Sequence, residues 1–250
     1  MHDPDLVFSL GPNCRNTWNL RHHFETDRAY PFDWWITPAK SMLALLEPGF
    51  RFQVAREDLA VTEPADGTNS VYNRRLNLLH HHDFDRDGAL VRPIAEAAIE
   101  RLNAKYTALF ARLWADLARA ERPLAVLNGS FGGWPGGTPD GGSNPALNGF
   151  LAPRDLVAAL RGRLGAKLRV VVVEIGKPRR LDLDGGTVIR LPDSGARLPN
   201  LPPGQGYAEP VHIFQEAFAA LGLKPGPLGL REDAAASLAI SNNTPRVRLA

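Results

Sequence analysis

The chain has 250 residues, 44% of them hydrophobic, so it is long and apolar enough to bury the core of one large domain. Its formal net charge is +2, from 29 basic and 27 acidic side chains, which argues against nucleic acid as a principal partner. A single cysteine excludes an internal disulfide, and no apolar run is long enough to span a membrane. Because the amino terminus also lacks the pattern of a signal peptide, we expect a cytoplasmic protein without a membrane partner.

The first predicted element is a short strand over residues 6–10, which is followed by the breaker pair Gly11-Pro12. Asn13 comes next and is a typical N-cap residue, which predicts a helix over residues 15–24. The only cysteine, Cys14, therefore lies where a strand gives way to a helix.

Cys14 is the leading candidate for a nucleophile. The unpaired N–H groups and the dipole at a helix start favour the reactive thiolate, and Arg15 adds a positive charge beside it. The structural alternative is that Cys14 is a small buried hydrophobic residue.

Residues 30–38 form an aromatic segment between two prolines, a pattern that excludes a central helix. We expect Asp33 in this segment to be partly buried and to need a partner, since an unpartnered buried carboxyl group has a raised pKa. The alternative is that Asp33 caps a helix predicted over residues 38–46. Trp34 and Trp35 are either a stacking platform for a sugar ring or part of the core.

A predicted strand within residues 71–79 runs into three consecutive histidines. On an extended segment His80 and His82 would share one face, and His81 would point to the other. Zinc motifs take ligands from more than one place, and no cysteine motif accompanies these histidines. The sequence therefore predicts no metal site.

The longest predicted helix covers residues 91–120 and repeats its apolar residues with the helical period. We expect it to bury four of them: Ile99, Leu102, Leu109 and Leu113.

A strand over residues 124–128 leads into a long Gly-rich loop at 129–149. The loop lacks the Walker Lys-Ser/Thr pair and the dinucleotide fingerprint, so no cofactor is predicted. Ser130 is a weaker candidate nucleophile than Cys14, because its surroundings are not the Gly-x-Ser-x-Gly elbow.

The remaining predicted elements are helices over 153–164 and 211–221 and strands over 168–175 and 187–191, before a weakly patterned tail from about residue 224. The alternation of strands and helices predicts a single α/β domain, a three-layer α/β/α sandwich with a mainly parallel sheet of Rossmann-like or esterase-like type. Sites in such folds gather at the carboxyl ends of the strands, where Cys14 and the Gly-rich loop would both lie.

Three stretches together resemble a bacterial family described as papain-like cysteine peptidases of unknown function. They are Ser9-Leu10-Gly11-Pro12-Asn13-Cys14, Tyr30-Pro31-Phe32-Asp33-Trp34 and His82-Asp83-Phe84, and the resemblance covers roughly the first half of the chain. It implies that Cys14 is the thiol nucleophile and His82 its general base. The acidic partner would be Asp33 or Asp83, and His81 is the alternative base.

These observations lead to two functional hypotheses. In the first, a Cys–His pair attacks an acyl carbon and passes the acyl group to water or another acceptor, as in a hydrolase or acyltransferase. Its substrate would be a small molecule, a peptide or a glycan, contacted by four candidate residues: Asn13, Arg15, Trp34 and Ser130. In the second, the Gly-rich loop and the aromatic segment hold a sugar or nucleotide without chemistry.

Overall fold

A computed structural model of the protein describes residues 3–63, 67–129 and 151–228. Across these three ranges, no helix combines the length and the apolar character needed to cross a membrane.

Five α-helices are described: α1 Cys14–Phe24, α2 Ala39–Leu45, α3 Glu96–Arg119, α4 Pro153–Leu164 and α5 Val211–Ala220. Each confirms a predicted helix. The one large difference is at α3, which begins at Glu96 rather than near residue 91, because residues 90–91 pair as a strand and Pro93 follows them.

Eleven strands are described: β1 Leu6–Ser9, β2 Trp35–Ile36, β3 Leu59–Val61, β4 Val71–Asn73, β5 Leu78–His80, β6 Arg86–Asp87, β7 Leu90–Val91, β8 Pro123–Asn128, β9 Arg169–Ile175, β10 Arg179–Leu183 and β11 Gly186–Leu191. The largest sheet has the order β1-β8-β9-β11-β10. Its first four strands are parallel and β10 is antiparallel at the edge, which confirms an α/β fold with a mainly parallel sheet.

Buried side chains of this sheet fall into two clusters, as expected when successive residues of a strand point to opposite faces. One cluster joins Val7, Val126 and Val171 to helices α1 and α5. The other joins Phe8, Val172 and their neighbours to α3 and α4, and it includes all four residues of α3 predicted to be buried.

A second, four-stranded antiparallel sheet has the order β2-β5-β4-β3, and β6 and β7 form a separate hairpin. The single strand predicted over residues 71–79 is in fact the hairpin of β4 and β5, whose turn includes Asn77 at a φ of 52°. Its turn contains no Gly or Pro, so the reversal of the chain lacked its usual sequence signal.

Candidate functional site

Cys14 is the first residue of α1 and lies just beyond the carboxyl end of β1. The turn before it is held in place from two sides. The Asn128 N–H donates to the Gly11 carbonyl oxygen at 3.0 Å, and the Thr37 N–H donates to the Pro12 carbonyl oxygen at 3.0 Å. Gly11 has a φ of 80°, in the left-handed region that favours glycine. The β1–α1 turn thereby presents Cys14 at the carboxyl edge of the parallel sheet.

Asn13 occupies the predicted N-cap position, with extended backbone, but its side chain makes no capping hydrogen bond. The Asn13 Oδ1 atom is buried and has no hydrogen-bond partner in the described structure. The N–H groups at the start of α1 interact instead with the thiol, because the N–H groups of Cys14 and Arg15 both stabilise its charged form. Asn13 therefore lies at the predicted N-cap position, but its side chain does not cap the helix.

The Cys14 side chain is partly exposed, but burial raises the pKa of its thiol above the ordinary value. The two N–H groups and the charge of Arg15 act in the opposite direction without reversing the shift. Arg15 also donates from Nε to the Tyr207 carbonyl oxygen at 3.1 Å, which fixes the segment around residue 207 beside the helix start. The helix start alone was expected to favour the thiolate. Because the pKa of the thiol is raised, the sulfur needs a base to become a thiolate.

Asp33 is buried and partnered, as predicted, but it does not cap a helix. Its carboxylate accepts hydrogen bonds from Arg21 Nη2 at 2.6 Å, Thr17 Oγ1 at 3.2 Å and the Tyr30 N–H at 3.0 Å. Burial raises the pKa of Asp33, and the Arg21 charge opposes that rise. The capping alternative is wrong because α2 begins at Ala39, with Pro38 as its N-cap, and Asp33 bonds to α1.

Two ring contacts link α1 to His82, but they start at Arg21, about 10 Å from Cys14 along the helix. Cys14 and Arg21 are separated by seven residues, so they lie on the same face of α1 about two turns apart. The Arg21 guanidinium lies 5.6 Å from the centroid of the Trp34 ring, and Trp34 packs edge-on against His82 with ring centroids 5.4 Å apart. Within the described ranges, no hydrogen bond joins the Cys14 sulfur to a histidine ring.

His81 and His82 lie beyond the end of β5, in a bend, so the predicted alternation of faces does not extend to them. A hydrogen bond of 2.7 Å joins His81 Nδ1 to Ser70 Oγ, whereas His82 is exposed. Protein atoms packed around part of each ring lower the pKa of both histidines, that of His82 to about 4 although the residue as a whole is exposed, and the charge of Arg86 adds to the effect. Both rings are therefore neutral at neutral pH, and the lowered pKa makes each a weaker proton acceptor than an ordinary histidine.

Asp83 contacts His80 rather than the predicted His81 or His82. His80 Nδ1 bonds the Asp83 carboxylate at 2.8 Å, and Lys105 Nζ lies 2.6 Å from its other oxygen. His80 Nε2 is buried and has no hydrogen-bond partner in the described structure. No role was predicted for His80, although the His-x-x-Asp spacing at the end of a strand was a signal for this pair.

Several other predictions concern residues away from Cys14. Trp35 is 0% exposed and stacks on Tyr106 with ring centroids 4.1 Å apart, so its core alternative is confirmed. Ser130 and the rest of the Gly-rich loop after Gly129 lie outside the described residues. Among the residues that are described, no group of three or more His, Cys, Asp or Glu side chains is arranged to hold a metal ion.

A cavity of about 460 Å³ opens at the same edge of the sheet. Leu10 and Pro12 line it, and Pro12 precedes Cys14 by two residues, so their Cα atoms are at most about 7.6 Å apart. Cys14 itself is not among the described lining residues. The edge therefore carries two neighbouring features, a partly exposed thiol and a pocket.

No protein-family model matches the chain, and no curated protein or solved structure matches it significantly. The resemblance to papain-like cysteine peptidases stays a prediction.

Proposed function

We propose that the protein is a cysteine-dependent hydrolase or acyltransferase, similar to the papain-like cysteine peptidases that its motifs resemble. The observation that carries this proposal is the placement of Cys14. Its partly exposed thiol is at the first residue of a helix and beyond the carboxyl end of a strand in a mainly parallel sheet. In sheets of this kind, ligands bind outside the carboxyl ends of the strands.

The raised pKa of Cys14 means that a base must remove the thiol proton before the sulfur can attack. His82 is the proposed base, because it is exposed, holds a neutral ring and is linked through Trp34 to Arg21 on α1. The described structure has no hydrogen bond between the two, so the proposal requires a movement that brings the bend at residues 81–82 towards the start of α1.

In the proposed reaction, the Cys14 thiolate attacks the acyl carbon while His82 holds the proton. The bond to the leaving group then breaks, His82 returns the proton to that group, and a thioester remains on the sulfur. Water or another acceptor attacks the thioester, loses a proton to His82 and releases the thiol. The N–H groups of Cys14 and Arg15 stabilise the thiolate in each cycle.

The fold and the cellular location are also part of the proposal. We propose one α/β domain in three layers, supported by the two clusters that join α1 and α5, and α3 and α4, to the main sheet. We also propose a cytoplasmic protein that acts on a small molecule, a peptide or a glycan.

A non-catalytic binding module is the second candidate function, and the cavity beside the β1–α1 turn favours it. Under this hypothesis the thiol is inert, and the cavity alone accounts for the site. The raised pKa of Cys14 is compatible with this alternative.

Thiol reactivity and turnover separate the two functions. We would measure iodoacetamide alkylation between pH 6 and 10, and hydrolysis of a panel of p-nitrophenyl esters and thioesters, for the wild type, Cys14→Ser and His82→Asn. We expect Cys14→Ser to abolish turnover with an unchanged circular dichroism spectrum, and His82→Asn to lower turnover by about 100-fold or more.

His22→Asn is the matched control, because His22 is an exposed histidine on α1, and its turnover should equal that of the wild type. His81→Asn tests the alternative base. Turnover that survives in Cys14→Ser would rule out the cysteine mechanism. A thiol that resists alkylation up to pH 10, in a protein without turnover, would leave the binding module as the better description.

A further inference from the structure

The walls of the cavity at the carboxyl edge are aliphatic. They are formed mainly by Leu10, Met42, Leu127, Leu156, Val172 and Val188. None of the described lining residues is aromatic, so these walls offer no ring on which a sugar or a nucleobase could stack. An apolar aliphatic chain is the chemical group that such a surface accepts.

The described residues that line the cavity carry a net positive charge. The charged residues among those described in its lining are Glu174, Arg179 and Arg190. Arg190 neutralises Glu174, since its Nε and Nη2 atoms lie 2.8 Å and 2.5 Å from Glu174 Oε2. Arg179 forms no ion pair within the described residues and leaves one positive charge beside the cavity. This charge favours an anionic ligand.

A buried hydroxyl group provides a second, independent sign of a ligand. Thr37 lines the cavity and is 2% exposed, yet its Oγ1 atom has no hydrogen-bond partner in the described structure. Buried polar atoms without a partner are rare in native proteins, because each has lost its hydrogen bonds to water without a replacement. Pro153 also lines the cavity, which places the positive N-terminal end of the twelve-residue helix α4 at its wall.

At Gly129 the backbone lies close to β9 in the wall of the cavity. The Gly129 N–H donates to the Val173 carbonyl oxygen at 2.7 Å, and a Cβ atom at residue 129 would lie 2.6 Å from Glu174 Cγ. Any side chain at Gly129 would therefore press on the Glu174–Arg190 pair.

We propose that this cavity binds a small aliphatic carboxylate. The hydrocarbon chain would lie among the aliphatic side chains, and the carboxylate would pair with Arg179 at the β10 end of the cavity. Such a ligand is neither a sugar nor a nucleotide, and its binding does not require Cys14 to be a nucleophile.

Isothermal titration calorimetry with three eight-carbon probes tests the charge preference: octanoate, 1-octanol and octylammonium. We expect octanoate to bind at least about tenfold more tightly than either of the other probes, the size of one charge-assisted hydrogen bond. In Arg179→Gln, octanoate should bind no more tightly than 1-octanol.

Arg180→Gln is the matched control, because Arg180 is the next residue of β10 and pairs with Asp182 at 3.1 Å. It should retain the octanoate preference. Leu181→Trp, at a partly exposed lining position on the same edge strand, should fill the cavity and remove octanoate binding at an unchanged melting temperature.

Equal affinity for octanoate and octylammonium, or the same octanoate affinity in Arg179→Gln and Arg180→Gln, would overturn the inference. So would binding that persists in folded Leu181→Trp. Because the readout is binding, these outcomes are independent of the turnover that tests Cys14.

Discussion

At the scale of single residues, Asp83 gathers several polar contacts on one buried carboxylate. Besides His80 and Lys105, it accepts hydrogen bonds from Tyr106 Oη at 2.9 Å and Trp35 Nε1 at 3.2 Å. Burial alone would raise the pKa of Asp83, but the hydrogen bond to His80 and the Lys105 charge hold it well below the ordinary value. Asp83 therefore stays ionised to a lower pH in the folded protein than in the unfolded chain.

This shift predicts how stability depends on pH. As the pH falls through about 4, the unfolded chain takes up a proton at Asp83 and the folded protein does not, so the free energy of unfolding should decrease. The contribution is present above about pH 4 and is lost as the pH falls towards the lowered folded pKa. Asp83→Asn should reduce the free energy of unfolding at pH 7 by about 1–3 kcal/mol and flatten its decline below pH 4.

Urea unfolding between pH 3 and 7 measures both effects. Asp85→Asn is the control, because Asp85 is 77% exposed and its ion pair with Arg101 spans 3.6 Å at the surface. Its stability should stay within about 0.5 kcal/mol of the wild type. If the two variants showed the same stability and the same acid dependence, the contacts of Asp83 would not be stabilising the fold.

The Cys14 thiol shows what a local sequence pattern cannot reveal. The pattern of strand, turn and cap predicted the helix start, and α1 begins within one residue of the predicted position. The pKa of the thiol depends in addition on burial, to which distant parts of the chain contribute. Tyr207, which Arg15 binds, is 192 residues further along the chain, beyond any local pattern.

At the scale of elements, α3 combines the strongest sequence signal with a central place in the core. Leu113 on this helix is 0% exposed and belongs to the larger buried cluster. We expect Leu113→Ala to lower the free energy of unfolding by about 2–5 kcal/mol, from lost apolar burial and the cavity left behind. Chemical denaturation with urea measures the change.

Thr107→Ala is the matched control, because Thr107 is exposed on the same helix. Alanine also has the higher helix propensity, so the control should change stability by about 0.5 kcal/mol at most. A Leu113→Ala loss no larger than that of the control would place the buried face of α3 elsewhere.

Element length separates what the sequence could predict from what it could not. The apolar runs of β8 and β9 are six and seven residues long, enough to be recognised as strands buried on both faces. Strands β2 to β7 have only two or three residues each, too few for a period of two to appear. β10 was missed for another reason: at the edge of the sheet its Arg-Arg-Leu-Asp-Leu sequence remains largely polar.

At the scale of the whole molecule, the two larger sheets share one buried core. Val71 and Leu78 of the antiparallel sheet belong to the same cluster as Ala125 and Val170 of the parallel sheet. α3 lies between β7 and β8 in the chain and contributes residues to that cluster. Neither sheet can lose its packing without exposing apolar surface of the other.

We therefore expect urea unfolding to be a single cooperative transition, with coincident midpoints by tryptophan fluorescence and far-UV circular dichroism. Val71→Ala and Val170→Ala, each at a position that is 0% exposed, should lower the midpoint seen by both probes. Trp35 makes fluorescence sensitive to the antiparallel sheet, since it pairs with β5 and stacks on α3. If Val71→Ala shifted the fluorescence transition alone, the antiparallel sheet would unfold independently, and the shared core would not couple the two sheets.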